Sequence, residues 1–192
     1  MFRDIEKVLI GRERIAGRVH ELGAQIAADL MRELGDDGDH TGEVVLVSVL
    51  TGSIVFVADL IRQLPVKLSL GLVAVSSYPG TSVESKGAMM RSELPRDLSG
   101  KHVLVVDDIL DSGQTLEVLS RLIMEQRPAS LRMAVLLRKP GKAKVAVKVD
   151  YVGFDIPDEF VVGYGLDYDG FYRNYPEIAT LKPEAVMRGG GG

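Results

Sequence analysis

Three short runs of largely apolar residues constrain the fold most: residues 44–50, 102–106 and 131–137. Each ends abruptly in a polar segment. Continuous runs this short, rich in valine and leucine, read as strands buried on both faces, as in a parallel sheet covered by helices. The intervening patterns are helical. Ile15, Val19, Leu22, Ile26, Leu30 and Leu34 recur at three- and four-residue spacing and build one apolar face. Residues 54–64 read as a helix halted by Pro65, and 116–126 as another. Further strands are expected at 7–10, 66–77, 151–154 and 160–164. Residues 35–42, acidic and glycine-rich, read as a surface loop. Residues 78–98 are polar and too long for a simple connection, which marks a lid or binding loop. Strands alternating with helices predict an α/β fold, with a mostly parallel central sheet flanked by helices.

In such sheets ligands bind outside the carboxyl ends of the strands. Three breaks fall there: Thr51-Gly52-Ser53, residues 107–115 and residues 138–141. The 192 residues suffice for one domain with a sizeable core. The absence of cysteine excludes disulfides, zinc–thiolate centres and cysteine nucleophiles. A net charge of −4 and a pI near 5.4 argue against a nucleic-acid partner. No apolar run approaches the roughly 20 residues that span a bilayer. The charged start, Met1-Phe2-Arg3-Asp4-Ile5-Glu6, does not read as a signal peptide. The expectation is a cytoplasmic protein with small-molecule substrates and no membrane partner.

Residues 107–115, Asp-Asp-Ile-Leu-Asp-Ser-Gly-Gln-Thr, are the most informative segment. An apolar strand delivers two adjacent carboxylates, and a loop with serine, glycine and threonine then opens a helix. Backbone N–H groups and hydroxyls at a helix start cradle phosphate. Carboxylates suit ribose hydroxyls or magnesium, a hard cation that prefers oxygen ligands. One ligand carrying phosphate, a sugar diol and magnesium would use every part. A helix cap with a solvated acidic turn remains the plainer alternative. The segment is not a Walker-type phosphate loop, and no G-x-G-x-x-G follows a strand.

Val105-Val106-Asp107-Asp108-Ile109-Leu110-Asp111-Ser112-Gly113-Gln114-Thr115-Leu116 resembles the phosphoribosyl pyrophosphate motif of type I phosphoribosyltransferases. The resemblance extends over residues 5–182 and is nearest the hypoxanthine–guanine branch. It implies a single domain over residues 1–188, with a small hood from the N- and C-terminal segments, and a disordered glycine tail at 189–192. It implies that Asp107 and Asp108 address the ribose hydroxyls and Mg2+. The segment Asp111, Ser112, Gly113, Gln114 and Thr115 would wrap the 5′-phosphate, and Thr51 and Gly52 would meet the pyrophosphate. An acid at Asp111 resembles the 6-oxopurine branch, where it would take a proton from purine nitrogen 7. Lys139 would donate to the 6-oxo group, since an ammonium donates and cannot accept. Phe160 would stack on the base, and the Val161 backbone would read its edge. Asp167 would stand near a second magnesium, and Arg173 would bind pyrophosphate through its fork. Ser77 and Tyr78 would open a lid that excludes water. A homodimer or homotetramer is also implied.

The chain departs from many relatives in carrying Thr51 where they have a basic residue, and Gln114 where some have lysine. The resemblance further implies a cis peptide between Leu50 and Thr51. Two other functions compete: a phosphoribosyltransferase-like RNA-binding regulator, and a metal-dependent phosphatase or receiver domain using Asp107 and Asp108 alone. A preference for xanthine is also open. Residues 79–92 are expected to be poorly ordered without substrate.

Overall fold

The computed structural model describes residues 1–35, 40–76, 89–90 and 93–189. Ser77, Tyr78 and nearly all of the expected lid lie outside the described residues, as do residues 190–192. The elements in chain order are β1 (Ile5–Ile10), α1 (Arg12–Leu34), β2 (Val44–Leu50), α2 (Ile54–Leu60), β3 (Leu68–Ser76) and β4 (Met89–Met90). They continue with β5 (His102–Leu110), α3 (Gln114–Glu125), β6 (Ser130–Arg138), β7 (Tyr151–Asp155), β8 (Ile178–Leu181) and α4 (Pro183–Gly189).

The main sheet has the order β4-β3-β2-β5-β6-β7. Strands β3, β2, β5, β6 and β7 are mutually parallel, and the two-residue β4 is antiparallel to β3. Alternation along the central strands explains why their runs are apolar throughout. Val44, Leu46, Leu104 and Val106 join the core under α1 and α2. Val45, Val47, Val103 and Val105 join a second core under α3. A strand with a core on each side has no solvent face to make polar. The order also reverses: from β2 the chain moves to β3 on one side, and later to β5 on the other. A crevice opens at the carboxyl ends of β2 and β5, where such a reversal occurs. Strands β1 and β8 form a separate antiparallel pair that joins Ile5 to Leu181.

Several expectations need correction. Strand β5 does not stop at Val106. Pairing with β6 carries it through Asp107, which faces Val135, to Leu110, which faces Arg138. Ladder hydrogen bonds belong to the backbone, so a charged pair can extend a strand that hydropathy would end. Residues 160–164 are not a strand, because Gly163, Tyr164 and Gly165 have φ of 96°, 49° and 104°, outside the strand region. Val162 makes only an isolated bridge to Ala179. Residues 54–64 divide into α2 and a 3-10 turn, Ile61–Gln63. Strand β8 and helix α4 are additions, and Gly189, expected in a disordered tail, ends α4.

Two glycines of α1 make the packing testable. A methyl at Gly17 would meet nothing within 4 Å, whereas at Gly23 it would lie 2.3 Å from Gln63 Cβ. Alanine at 17 should therefore stabilise the protein by about 0.5–1 kcal/mol through helix propensity. At 23 the same gain is outweighed by overpacking, with a net loss of roughly 1–2 kcal/mol. Urea unfolding of Gly17→Ala and Gly23→Ala should show midpoints displaced in opposite directions.

Candidate active site

The end of β5 supplies the acids. Asp107 is buried, and its Oδ1 accepts a hydrogen bond from the Asp108 backbone N–H at 2.9 Å. Burial and the adjacent Asp108 charge push the Asp107 carboxyl well above the usual range. Asp108 is also raised by burial, though hydrogen bonds and the charge of Arg173 oppose the shift. Asp111 follows at the loop start, and its Oδ1 is buried with no hydrogen-bond partner. Helix α3 is not capped by it: Gly113 is the N-cap, with φ of 81°, and the Gln114 N–H at the helix start donates to Ser112 Oγ at 3.4 Å. The capping alternative for Asp111 therefore fails.

The phosphate-cradle candidate, Ser112 to Thr115, is braced from behind. The Lys144 N–H donates to Ser112 O at 2.9 Å. A Cβ at Gly113 would lie 3.1 Å from Val145 Cγ2 and 3.2 Å from Val145 O. The β6–β7 connection thus fixes the loop, a support that motif reading does not see.

The turn after β2 forms the opposite wall. The Leu50–Thr51 peptide is cis, as the resemblance implies. Ser53 ties the turn to its own strand, donating to Val49 O at 2.5 Å, with Ser48 Oγ at 2.8 Å. Gly52 has no room for a side chain: a Cβ there would fall 1.6 Å from Asp108 Oδ2. Gly165 backs onto the same turn, its would-be Cβ 2.1 Å from Gly52 O. The 165–173 loop is thereby seated on the β2 turn. Arg173 donates to Gly165 O at 2.7 Å and pairs with Asp167 Oδ1 at 2.7 Å, while Asp167 Oδ2 accepts from the Gly170 N–H at 2.8 Å.

These residues surround two adjoining cavities. The first, about 430 Å³, is lined by the β2 turn with Thr51 and Gly52, by Asp107 through Gly113 and Thr115, and by Asp167 and Arg173. The second, about 420 Å³, is lined by Lys139, Phe160, Val161 and Leu166, together with Asp108, Ile109, Asp111 and Asp167. Asp108, Asp111 and Asp167 thus line both. Phe160 is not core: it is 57% exposed and meets Tyr168 edge-on at 5.6 Å. Lys139 is nearly buried, its Nζ 3.3 Å from Asp158 Oδ1. Gln114 starts α3 but lines neither cavity. Sequence reading missed Asp158, Gly165 and the Val145 brace. Only the glycine carried any signal, as a residue free to take positive φ.

The phosphoribosyl transferase domain family matches residues 17–169. The chain belongs to that family. Hypoxanthine-guanine phosphoribosyltransferase of Mycobacterium tuberculosis (strain ATCC 25618 / H37Rv) is 48% identical over 186 residues, 96% of this chain and 90% of that protein. The Bacillus subtilis (strain 168) protein of the same description is 39% identical over 183 residues, 95% and 97% of the two chains. A crystal structure of a Staphylococcus aureus hypoxanthine phosphoribosyltransferase superposes with TM-score 0.85 at 41% identity, covering 96% of each chain. A Trypanosoma cruzi hypoxanthine phosphoribosyltransferase variant, complexed with its product IMP, does so with TM-score 0.88 at 37% identity, covering 100% of this chain and 99% of the other. The phosphoribosyltransferase has the type I fold, with its five parallel strands flanked by helices.

The buried acids have a thermodynamic consequence. A carboxyl whose pKa is raised by folding stabilises the native state fully only below its unfolded pKa. That contribution is lost as pH rises through the folded value. Asp107→Asn keeps the Oδ1 acceptor and removes the charge. In metal-free buffer the variant should unfold at higher denaturant than the parent at pH 7. Its advantage should shrink as pH falls through the folded value and vanish below about 4, where the parent carboxyl becomes protonated in both states. Denaturant midpoints across pH check this; a variant less stable than the parent at neutral pH would contradict it.

Proposed function

We propose that this phosphoribosyltransferase transfers the phosphoribosyl group of phosphoribosyl pyrophosphate to hypoxanthine and guanine, giving IMP or GMP and pyrophosphate in purine salvage. The observation that carries the reading is the pair of cavities sharing Asp108, Asp111 and Asp167. One cavity has the groups for a phosphorylated sugar and the other for a flat base. The shared edge is where the anomeric carbon and purine nitrogen 9 would meet. The names of the relatives support the same substrates.

The sugar phosphate would enter with its 5′-phosphate among the Ser112 to Thr115 hydroxyls and N–H groups. Asp107 and Asp108 would face its hydroxyls. The base would lie against the exposed face of Phe160, with the Val161 backbone at its edge. Lys139 would donate to the 6-oxo group and disfavour the 6-amino group of adenine. It would also stabilise negative charge gathering on the purine. The unpartnered Asp111 Oδ1 would accept the proton of nitrogen 7 as the ribose bonds to nitrogen 9. Arg173, folded onto Asp167 and Gly165 O, would turn its fork to the diphosphate. Backbone N–H groups at Thr51 and Gly52 would serve where relatives use a basic side chain.

The acids also fit Mg2+. Among the described residues no group of three acids or histidines forms a metal cage. The donors are instead the mutually repelling pair Asp107 and Asp108, with Asp167 on the same cavity. Magnesium is held in just this way, by one or two carboxylates together with substrate phosphates. When bound it would neutralise the diphosphate leaving group. The hood role of the β1–β8 pair, the lid at Ser77 and Tyr78, and a cytoplasmic setting belong to the same reading. So does a homodimer or homotetramer, which the half-exposed Leu70 and Leu72 on one face of β3 support.

Steady-state rates with hypoxanthine, guanine, xanthine and adenine test the reading. Hypoxanthine and guanine should turn over, with pyrophosphate released in equal amount. Turnover only with xanthine or only with adenine would overturn it. Asp111→Asn is the sharper probe. The fold and the affinity for phosphoribosyl pyrophosphate should persist, since the phosphate loop is braced by Lys144 and Val145. Turnover should fall by roughly 10²–10⁴-fold, the usual contribution of a general acid–base group. Full activity in Asp111→Asn would remove the proton-transfer role.

A further inference from the structure

Charges beside the base cavity tie the segment after β6 to the end of β7 and the residues that follow it. After β6 come Lys139 and Lys142; Asp155 ends β7, and Asp158 follows it. Arg138 forks onto Asp155 at 2.6 and 2.9 Å, and the Ile156 N–H donates to Arg138 O at 2.9 Å. Lys142 Nζ holds both Asp158 oxygens, at 2.6 and 2.5 Å. Asp158 Oδ1 also stands 3.3 Å from Lys139 Nζ. Lys142 thus fixes Asp158, and Asp158 reaches Lys139. Two and three residues further along the chain lie Phe160 and Val161, which line the cavity together with Lys139.

We infer that Asp158 is a positioning residue for base selection, holding the Lys139 ammonium at the back of the base cavity from outside it. This rests on the reading of that cavity as the base site. Asp158 does not line the cavity, whereas Asp108, Asp111 and Asp167 do. The lysine stem is flexible, and its ammonium is attracted to every carboxylate within reach. Without a counter-charge behind it, the ammonium is drawn forward onto the acids of the shared edge. There it would fill the space of the base and give Asp111 Oδ1 the partner it lacks. With Asp158 in place the ammonium is held by an ion pair from behind, and its donors are left for a carbonyl oxygen in the cavity. The pull of the acid also offsets the burial of a nearly enclosed ammonium. Asp158 is more than half exposed and pairs with Lys142 at the surface, so its substitution by asparagine leaves the core untouched.

The test compares Asp158→Asn, Asp158→Glu and Asp155→Asn in the full-length protein. KM for hypoxanthine and for phosphoribosyl pyrophosphate, kcat, and thermal midpoint are measured for each. Asp158→Asn should raise KM for hypoxanthine by about tenfold, through loss of the ion pair that holds the Lys139 ammonium. KM for phosphoribosyl pyrophosphate should stay within about twofold, because Asp158 does not line the cavity that holds the phosphate loop. Discrimination against adenine should weaken in the same variant. Asp158→Glu should recover most of the hypoxanthine KM. Asp155→Asn removes the neighbouring ion pair without touching Lys139 and should change neither KM. A purely structural role predicts a lower thermal midpoint with both KM values moving together, and that result overturns the inference. So does an unchanged hypoxanthine KM in Asp158→Asn. Absence of transferase activity in the parent protein would instead count against the base-site reading itself.

Discussion

The reversal of strand order between β2 and β5 is the constraint on which the rest of the molecule depends. Two neighbouring parallel strands whose chains depart to opposite sides leave a gap at their carboxyl ends that no connection covers. The β2 turn and the β5 acids meet across that gap at less than side-chain distance, which only glycine at 52 permits. Everything else is brought to it. The 165–173 loop is seated on the turn through Gly165, and the phosphate-cradle loop is propped by the β6–β7 connection. The second cavity, with Lys139 and Phe160, shares these acids.

The same gap sets an energetic conflict. Asp107 is placed where burial and its neighbour's charge disfavour ionisation. A buried acid pair of this kind lowers the stability of the ligand-free protein, and the apolar cores on both faces of the sheet must offset it. Such conflicts mark the places where a fold gives up stability for binding. Asp111 adds a buried oxygen without a partner. Those three acids are clustered at the end of one strand. Local instability is thus confined to the site, while the flanking strands, packed from both sides, remain regular.

Much of this was legible in the sequence, for reasons that differ by residue. Val44 to Leu50 read as a doubly buried strand because its two faces enter two cores. Asp107 to Thr115 read as a ligand loop because its residue types have few other joint uses. Lys139, Phe160 and Arg173 were placed only by resemblance, since a lone lysine or phenylalanine carries no signature of its own. Residues 160–164 misled because Phe-Val-Val-Gly-Tyr has strand composition, and positive φ from Gly163 onward cannot be read from hydropathy. Strand β8 escaped because a run of four residues, Ile-Ala-Thr-Leu, has meaning only beside β1, more than 160 residues away in the chain. Asp158 escaped for a related reason: its partners come from a different strand end.

The pairing of β1 with β8 fixes an order of assembly. Synthesis delivers Ile5 early, but the strand that matches it, ending at Leu181, emerges only after the whole of β2 to β7. The parallel core from β2 to β7 can form while the tail is still being made. Arg173 and Asp167, on the segment that leads into β8, arrive after that core. During translation the nascent chain therefore carries a finished sheet and an unfinished cleft. The closing of the β1–β8 pair thus waits on residues made after the whole main sheet.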